Sequence, residues 1–315
     1  MTHHRIQQIF GETGWVLADG ATGTNLFRAG LETGYPPELW NVERPEDVAA
    51  LHNSFIDAGA QLILTNSFGG TAHRLRLHGA EARVAELNEA AARIAREAGD
   101  IGRDRHGHDI VVAGSIGPTG ELFAPMGALD HGEALAAFTA QAEALAAGGA
   151  DLLWIETMSS LEEIKAAIEA AAAVGLPAAT CMTFDTAARS MMGITPADFA
   201  SQSTAFGAAY IGANCGIPAY VDGAIHYHGT PELMAAYACL ARDAGVTIIG
   251  GCCGTTEVHV RAMRTALESV PRRPFDQEAA DAALGVAWKD VPTPDNAGDT
   301  KQSTGRRRGR RRDRG

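Results

Sequence analysis

The 315-residue chain has 46% hydrophobic, 20% charged and 6% aromatic residues, which excludes a small disulfide-stapled protein and argues against wholesale disorder. The net charge of −12 is unevenly divided, since residues 301–315 carry +7 and the first 300 residues carry −19. Because an acidic body repels polyanions, nucleic-acid binding is disfavoured and would depend on the basic tail.

No stretch approaches the roughly 20 apolar residues of a membrane span, and the polar N-terminus is not followed by the apolar core of a signal peptide. The five cysteines are an odd number in a long chain, which favours free thiols or metal ligands over a disulfide framework. We therefore expect a cytoplasmic protein that makes no membrane contact.

Seven short apolar segments, most of them next to a glycine, are predicted to be strands of a parallel sheet covered by helices. In chain order they are residues 15–19, 61–66, 110–115, 152–156, 178–184, 209–214 and 247–251. Between several of these segments the apolar residues recur with helical spacing, at residues 45–58, 81–98, 132–147 and 161–174. Ser160 is the predicted N-cap of the last of these helices.

A weak repeat links predicted helices to the strands that follow. Segments starting at Asp57, Ala147 and Asp243 share a helix end, a glycine suited to positive φ, and then a strand. Such αβ junctions favour an α/β fold of the (β/α)₈ type, with a doubly wound open sheet as the alternative. We assign the barrel to residues 1–271. Residues 272–315 are predicted to be a polar tail with one short helix near residues 277–284 and a disordered Arg-rich end.

Chemically active residues gather at the predicted strand ends, which in a parallel barrel share one face. They are Asp19, Asn66, Ser115, Glu156, Asp185, Cys215, Cys252 and Cys253. This clustering predicts an enzyme. A barrel aldolase with a Schiff-base lysine is disfavoured, because none of the seven predicted strands contains a lysine.

The cysteines give the sharpest signal. Cys215, Cys252 and Cys253 lie in glycine-rich turns at two strand ends, and three thiols can fill three of the four positions of a tetrahedral Zn²⁺ while leaving one open. The alternatives are small core residues or a vicinal disulfide. Cys181 and Cys239 are predicted to be core residues. His226, His228 and His259 are predicted to have loop or helix-surface roles, with extra metal ligation as the alternative.

Six motifs in residues 10–270 resemble those of homocysteine S-methyltransferases, in the same order. They are Asp19-Gly-Ala-Thr-Gly-Thr-Asn-Leu, Leu64-Thr-Asn-Ser-Phe, Gly114-Ser-Ile-Gly-Pro, Ile155-Glu-Thr, Gly212-Ala-Asn-Cys-Gly and Gly250-Gly-Cys-Cys-Gly-Thr-Thr. The resemblance implies a (β/α)₈ barrel in which three cysteines hold zinc, zinc binds the homocysteine sulfur, and the product is methionine.

By this resemblance, Cys215, Cys252 and Cys253 are the catalytic zinc ligands. Glu156 and the backbone around Gly20 and Thr22 are expected to hold the amino-acid end of homocysteine. Asp19 and Asn66 are also assigned to substrate binding. Trp40, in the loop after the first strand, is a candidate for donor binding, with helix packing as its alternative role.

The pattern departs from the family in one place. Cys215 and Cys252 are only 37 positions apart, so the segment of helix six and strand seven is predicted to be missing. Cys215 can therefore match either the sixth-strand ligand or a residue near the seventh-strand end. A degenerate barrel without activity is the alternative reading.

The methyl donor is left open between betaine and methylcobalamin. Betaine would need an aromatic box, for which Trp40 is a candidate, but Thr157 stands where the betaine enzyme carries a tyrosine. A methylcobalamin reaction would need separate cobalamin- and folate-binding proteins, as in a split methionine synthase. S-methylmethionine and S-adenosylmethionine are further alternatives, and an oligomer is compatible with the family.

Overall fold

The computed structural model describes residues 2–185, 188–215, 219–221 and 224–284, which form twelve α-helices and nine β-strands. The strands are β1 (Val16–Leu17), β2 (Leu62–Leu64), β3 (Val111–Ile116), β4 (Leu152–Met158), β5 (Ala178–Met182), β6 (Tyr210–Ala213), β7 (Ala219–Val221), β8 (Ala224–His226) and β9 (Ile248–Ile249). The helices are α1 (Thr2–Thr13), α2 (Thr22–Arg28), α3 (Trp40–Glu43), α4 (Pro45–Asp57), α5 (Ala72–Arg76), α6 (Val84–His106), α7 (His131–Ala147), α8 (Leu161–Ala173), α9 (Pro196–Phe206), α10 (Pro231–Asp243), α11 (Glu257–Ser269) and α12 (Gln277–Leu284).

Seven strands run parallel in the spatial order β9, β1, β2, β3, β4, β5, β6. A bridge between Ala18 and Leu62 joins the β1–β9 pair to the five-stranded sheet. These seven are the strands predicted from the sequence, and helices alternate with them along the chain. The prediction of a (β/α)-barrel architecture is confirmed.

The barrel wall is open on one side. Within the described ranges no ladder joins β6 to β9, while β7 and β8 form a separate antiparallel hairpin. The chain runs from β6 through this hairpin and α10 directly to β9. An incomplete barrel at the place of helix six and strand seven was predicted, and the structure agrees.

Alternate residues of each strand face two different apolar layers. Val16, Leu62, Val111 and Leu152 form the interior, together with Ile6 and Ile9 of α1 at the amino end of the strands. The opposite strand faces pack against the surrounding helices. Because the strands are buried on both faces, their sequences are continuous runs of apolar residues. Helix α1 and the β7–β8 hairpin were not predicted.

The predicted αβ junctions are present. Gly59, Gly149 and Gly245 have φ values of 105°, 98° and 95°, so each takes the left-handed conformation before its strand. The Oγ of Ser160 accepts a hydrogen bond from Glu163 N at 3.2 Å, confirming this residue as the N-cap of α8.

In the described residues, no helix is both long and apolar enough to cross a membrane. Helix α12 confirms the short helix predicted in the C-terminal segment, and it contacts α10. The Arg-rich end, residues 301–315, lies outside the described residues, as does all of 285–315.

Candidate active site

A cavity of about 1100 Å³ opens at the carboxyl ends of the parallel strands and continues along the facing edges of β6 and β9. Nearly all of the predicted site residues line it. They are Asp19, Gly20, Thr22, Asn66, Ser115, Glu156, Cys215, Cys252 and Cys253. Residues from six separate strand ends therefore meet in one pocket, as the barrel geometry requires.

The three predicted ligand cysteines converge at one wall of this cavity. The Sγ of Cys215 lies 3.1 Å from that of Cys252 and 3.8 Å from that of Cys253, and the last two are 4.0 Å apart. A tetrahedral zinc holds sulfur ligands about 2.3 Å from the metal and hence about 3.8 Å from one another. The thiol positions fit zinc, and all three cysteines are free.

Backbone geometry produces this convergence. Cys215 has a φ of 56°, which turns the chain sharply at the end of β6, and Gly254 has a φ of 80° just after the cysteine pair. A side chain on Gly250 would lie 2.8 Å from the Cβ of Ala18. Close packing of β9 on β1 therefore depends on glycine at this position.

Helix α2 anchors the loop that carries the cysteine pair. Gly254 N donates to Thr24 Oγ1 at 3.2 Å, and Asn25 Nδ2 donates to the carbonyl oxygen of Thr255 at 2.8 Å. A Cβ on Gly20 would lie 2.6 Å from the same carbonyl oxygen, so only glycine fits between the two loops. Gly20 therefore packs against the loop that carries the cysteine pair, and Thr22 lines the same cavity.

Contacts among the clustered thiols shift their pKa values. Hydrogen bonds with Cys215 and then Cys252 lower the pKa of Cys253 to about 3, and the contact with Cys252 raises the pKa of Cys215. A thiolate is the form that binds metals. Cys181, in contrast, is a buried β5 residue with a pKa raised by desolvation, and Cys239 is half-buried in α10.

Glu156 faces the thiols from the end of β4. Its Oε1 accepts a hydrogen bond from Ser115 Oγ at 2.6 Å, and its Oε2 accepts one from Asn214 Nδ2 at 3.1 Å. Burial raises the pKa of Glu156 to about 7, and the charge of Cys252 adds to this increase. The carboxylate is therefore fixed in place but poorly solvated, and would gain from a cationic partner.

Asp19 is buried at the end of β1, with 2% of its surface exposed. Its Oδ2 accepts a hydrogen bond from Leu64 N at 2.9 Å, which ties β1 to β2. Burial raises the pKa of Asp19 well above its usual value, and the charge of Glu156 raises it further. Asp19 therefore lines the cavity and also accepts a hydrogen bond that holds β1 and β2 together.

Asn66 and Trp40 are placed differently. Asn66 lines the cavity, but its Nδ2 donates to Pro37 O at 2.7 Å and to Asn41 Oδ1 at 3.0 Å, so this amide holds the β1 and β2 loops together. Trp40 does not line the cavity. Trp40 is 5% exposed and packs in a cluster with Leu26 and other apolar residues. This position matches the alternative role in helix packing and not the role in donor binding.

Several residues at the cavity were not singled out from the sequence. Asn214 was quoted only as the neighbour of Cys215, and nothing in its local sequence indicates a contact with β4. The ring of Tyr227 lies against Gly254, and burial followed by the charge of Cys253 raises its pKa. The partly exposed rings of Phe27, Tyr35 and Phe68 line the same cavity.

Comparison with known proteins assigns these features to one family. Residues 16–228 and 216–267 match the family model described as homocysteine S-methyltransferase. The chain is 26% identical over 329 aligned positions to methionine synthase of Mycobacterium tuberculosis (strain ATCC 25618 / H37Rv), covering 90% of this chain and 27% of that protein. With methionine synthase of Mycobacterium leprae (strain TN) it is 27% identical over 295 positions, covering 80% and 24%. The chain thus spans about a quarter of the length of these relatives.

Solved structures share the fold. The oxidized form of the Escherichia coli homocysteine methyltransferase MmuM superposes with a TM-score of 0.70 at 24% identity, covering 83% of this chain and 99% of that one. The metallated form of the same protein gives a TM-score of 0.68 with the same identity and coverage. At this level of identity the likeness establishes the architecture of the barrel.

Proposed function

Because the chain belongs to the homocysteine S-methyltransferase family, we propose that it transfers a methyl group to the sulfur of homocysteine and so forms methionine. The observation that carries this proposal is the meeting of three free thiols and a half-buried carboxylate in one cavity. The sulfur atoms of Cys215, Cys252 and Cys253 lie within 4.8 Å of one another, and Glu156 lines the same cavity.

We propose Cys215, Cys252 and Cys253 as the residues that hold zinc. Their spacing fits tetrahedral coordination with one position left for a substrate sulfur. When bound, zinc would supply a Lewis acid that lowers the pKa of the homocysteine thiol and favours its nucleophilic thiolate. Three thiolate ligands would keep the centre anionic, which would preserve electron density on a neighbouring sulfur.

The other residues of the site bind and orient the amino-acid end of the substrate. Glu156 is suited to binding an α-ammonium group, because an ion pair with that group would stabilise the poorly solvated carboxylate of Glu156. The backbone at Gly20 and the first turn of α2, which starts at Thr22, offers N–H groups without intrahelical partners to an α-carboxylate. Asp19 and Asn66 shape this wall through their hydrogen bonds.

Two methyl donors are proposed, and different observations favour each. The partly exposed rings of Phe27, Tyr35 and Phe68 at the cavity support a cationic donor such as betaine, since aromatic faces attract quaternary ammonium groups. The two mycobacterial relatives are methionine synthases about four times as long as the matched region. This likeness supports methylcobalamin, supplied together with cobalamin- and folate-binding units, as the second candidate donor.

The test is methionine formation by the zinc-loaded protein, with betaine and with a methylcobalamin protein as alternative donors. We expect about one zinc per chain by atomic emission and activity with one of the two donors. Cys253→Ser should lose both zinc and activity, whereas Cys239→Ser, at a half-buried thiol outside the cluster, should keep both. Wild-type protein with neither zinc nor methionine formation would contradict the proposal and favour a degenerate barrel.

We assign the proposed activity to residues 1–271 and to a reducing, cytoplasmic compartment. The proposed ligands are free thiols, which a reducing environment preserves.

A further inference from the structure

Asn214 connects two parts of the site that lie on different strands. It follows β6 and immediately precedes Cys215, yet its side chain reaches past the end of β5 to β4. Its Nδ2 donates to Glu156 Oε2 at 3.1 Å and to Thr157 Oγ1 at 2.8 Å. Its Oδ1 accepts a hydrogen bond from Thr157 N at 3.0 Å.

The end of β4 has an irregular backbone that needs such a partner. The register of β4 with β5 shifts between Ile155 and Met158, and Thr157 within this bulge has a φ of 62°. A β-branched residue rarely adopts positive φ without outside support. Asn214 Oδ1 accepts the N–H of Thr157 in place of a ladder partner, so the amide stabilises the bulge next to Glu156.

The main chain of Asn214 is equally constrained. Its N–H donates to Met182 O at 3.3 Å, and its carbonyl oxygen accepts a hydrogen bond from Thr183 Oγ1 at 3.2 Å. The next residue, Cys215, has a φ of 56°. The amide that holds Glu156 is thus one peptide unit away from a thiol of the cysteine cluster.

We propose that Asn214 is a positioning residue that sets the Glu156 carboxylate at a fixed place relative to the Cys215 thiol. It thereby selects substrates that carry both a sulfur and an ammonium group at the spacing found in homocysteine. This inference rests on the proposed function, because it takes homocysteine as the substrate. Asn214 acts through Glu156, which makes the contact with the ammonium group.

The test compares two thiols that differ only in that group. Homocysteine carries the α-ammonium, whereas 4-mercaptobutanoate has the same thiol and carboxylate without it. Dissociation constants would be measured by calorimetry on zinc-loaded wild type, Asn214→Asp and Asn214→Ala. The aspartate variant preserves shape and the acceptor for Thr157 N, but it turns an oxygen towards Glu156. Asn53→Ala serves as the matched control, because the Nδ2 of Asn53 donates to Ala49 O within α4.

We expect both Asn214 variants to bind homocysteine about tenfold more weakly or worse, since a hydrogen bond to a charged group is lost. Binding of 4-mercaptobutanoate and the zinc content should stay near wild-type values, and Asn53→Ala should match wild type for both thiols. An equal loss for the two thiols, or loss of zinc, would overturn the positioning role while leaving the proposed function intact. Wild-type protein that binds homocysteine no better than the desamino thiol would overturn the inference. Failure of zinc-loaded wild type to bind either thiol would overturn the proposed function as well.

Discussion

Among single residues, Glu156 lies in an environment that is unfavourable to its charge. Its pKa is raised from 4.5 to about 7, mainly because burial removes water from the carboxylate. The folded protein therefore binds this proton more tightly than the unfolded chain does. Its contribution to stability is lost as pH rises from about 4.5 to about 7. The site thus holds a group that lowers stability at neutral pH, as substrate-binding carboxylates often do.

Glu156→Gln should raise the free energy of unfolding at pH 8 by about 1–3 kcal/mol, because the amide has no charge to desolvate. The gain should vanish at pH 4, where the wild-type carboxyl is protonated in both states. Urea unfolding at the two pH values measures this difference. The same variant should weaken homocysteine binding, and a variant that is less stable at pH 8 would show that Glu156 is not a desolvated anion in the fold.

The sequence predicted which strand-end side chains would line one cavity, but it did not predict the side-chain contacts made across strands. The thiols and Glu156 lie at strand ends, where local pattern and barrel topology together place them. Asn214 contacts β4 past an intervening strand, and Trp40 packs beneath α2 and α4 instead of facing the cavity. Both outcomes depend on tertiary packing that no short motif encodes.

At the scale of elements, the αβ junctions were predicted because glycine alone tolerates the backbone they require. The hairpin of β7 and β8 was missed, although Asp222-Gly223 between two short apolar segments is a recognised turn signal. Its strands have three residues each, too few for alternation to be visible.

Two glycine substitutions test the junction argument. Gly245 has a φ of 95° with open space where a Cβ would lie, so Gly245→Ala should lower the free energy of unfolding by about 1–2 kcal/mol through backbone strain alone. Gly11 also has open space but lies within α1, so Gly11→Ala should be neutral or stabilising by up to about 1 kcal/mol. Urea denaturation of both variants measures the sign of each change in the free energy of unfolding. Equal changes for the two substitutions would show that backbone conformation is not the cause.

At the scale of the whole molecule, the acidic body and the basic end are expected to have separate roles. The proposed catalytic groups lie in the barrel, whereas the positive charge is concentrated in residues 301–315. Deleting residues 301–315 should therefore leave zinc content and methionine formation unchanged. RNA retention at low and high salt, measured for both forms, tests the alternative role of the tail. Loss of methyl transfer in the shortened protein would show that the tail belongs to the enzyme.

The open wall between β6 and β9 does not separate the residues on its two sides. Cys215 follows β6 and Cys252 follows β9, yet their sulfur atoms are 3.1 Å apart. Zinc held by the proposed ligands Cys215, Cys252 and Cys253 would therefore link the ends of β6 and β9, between which no ladder is present in the described residues. The local sequence predicted the missing segment, but only the three-dimensional structure shows that the thiols still converge.

The central claim is that these three thiols form a zinc site that accepts the sulfur of homocysteine. X-ray absorption at the zinc edge, recorded on the loaded protein with and without homocysteine, tests it most directly. We predict three sulfur neighbours at about 2.3 Å without substrate and four with it. Fewer than three sulfur neighbours, or a number that does not rise when homocysteine is added, would contradict the claim.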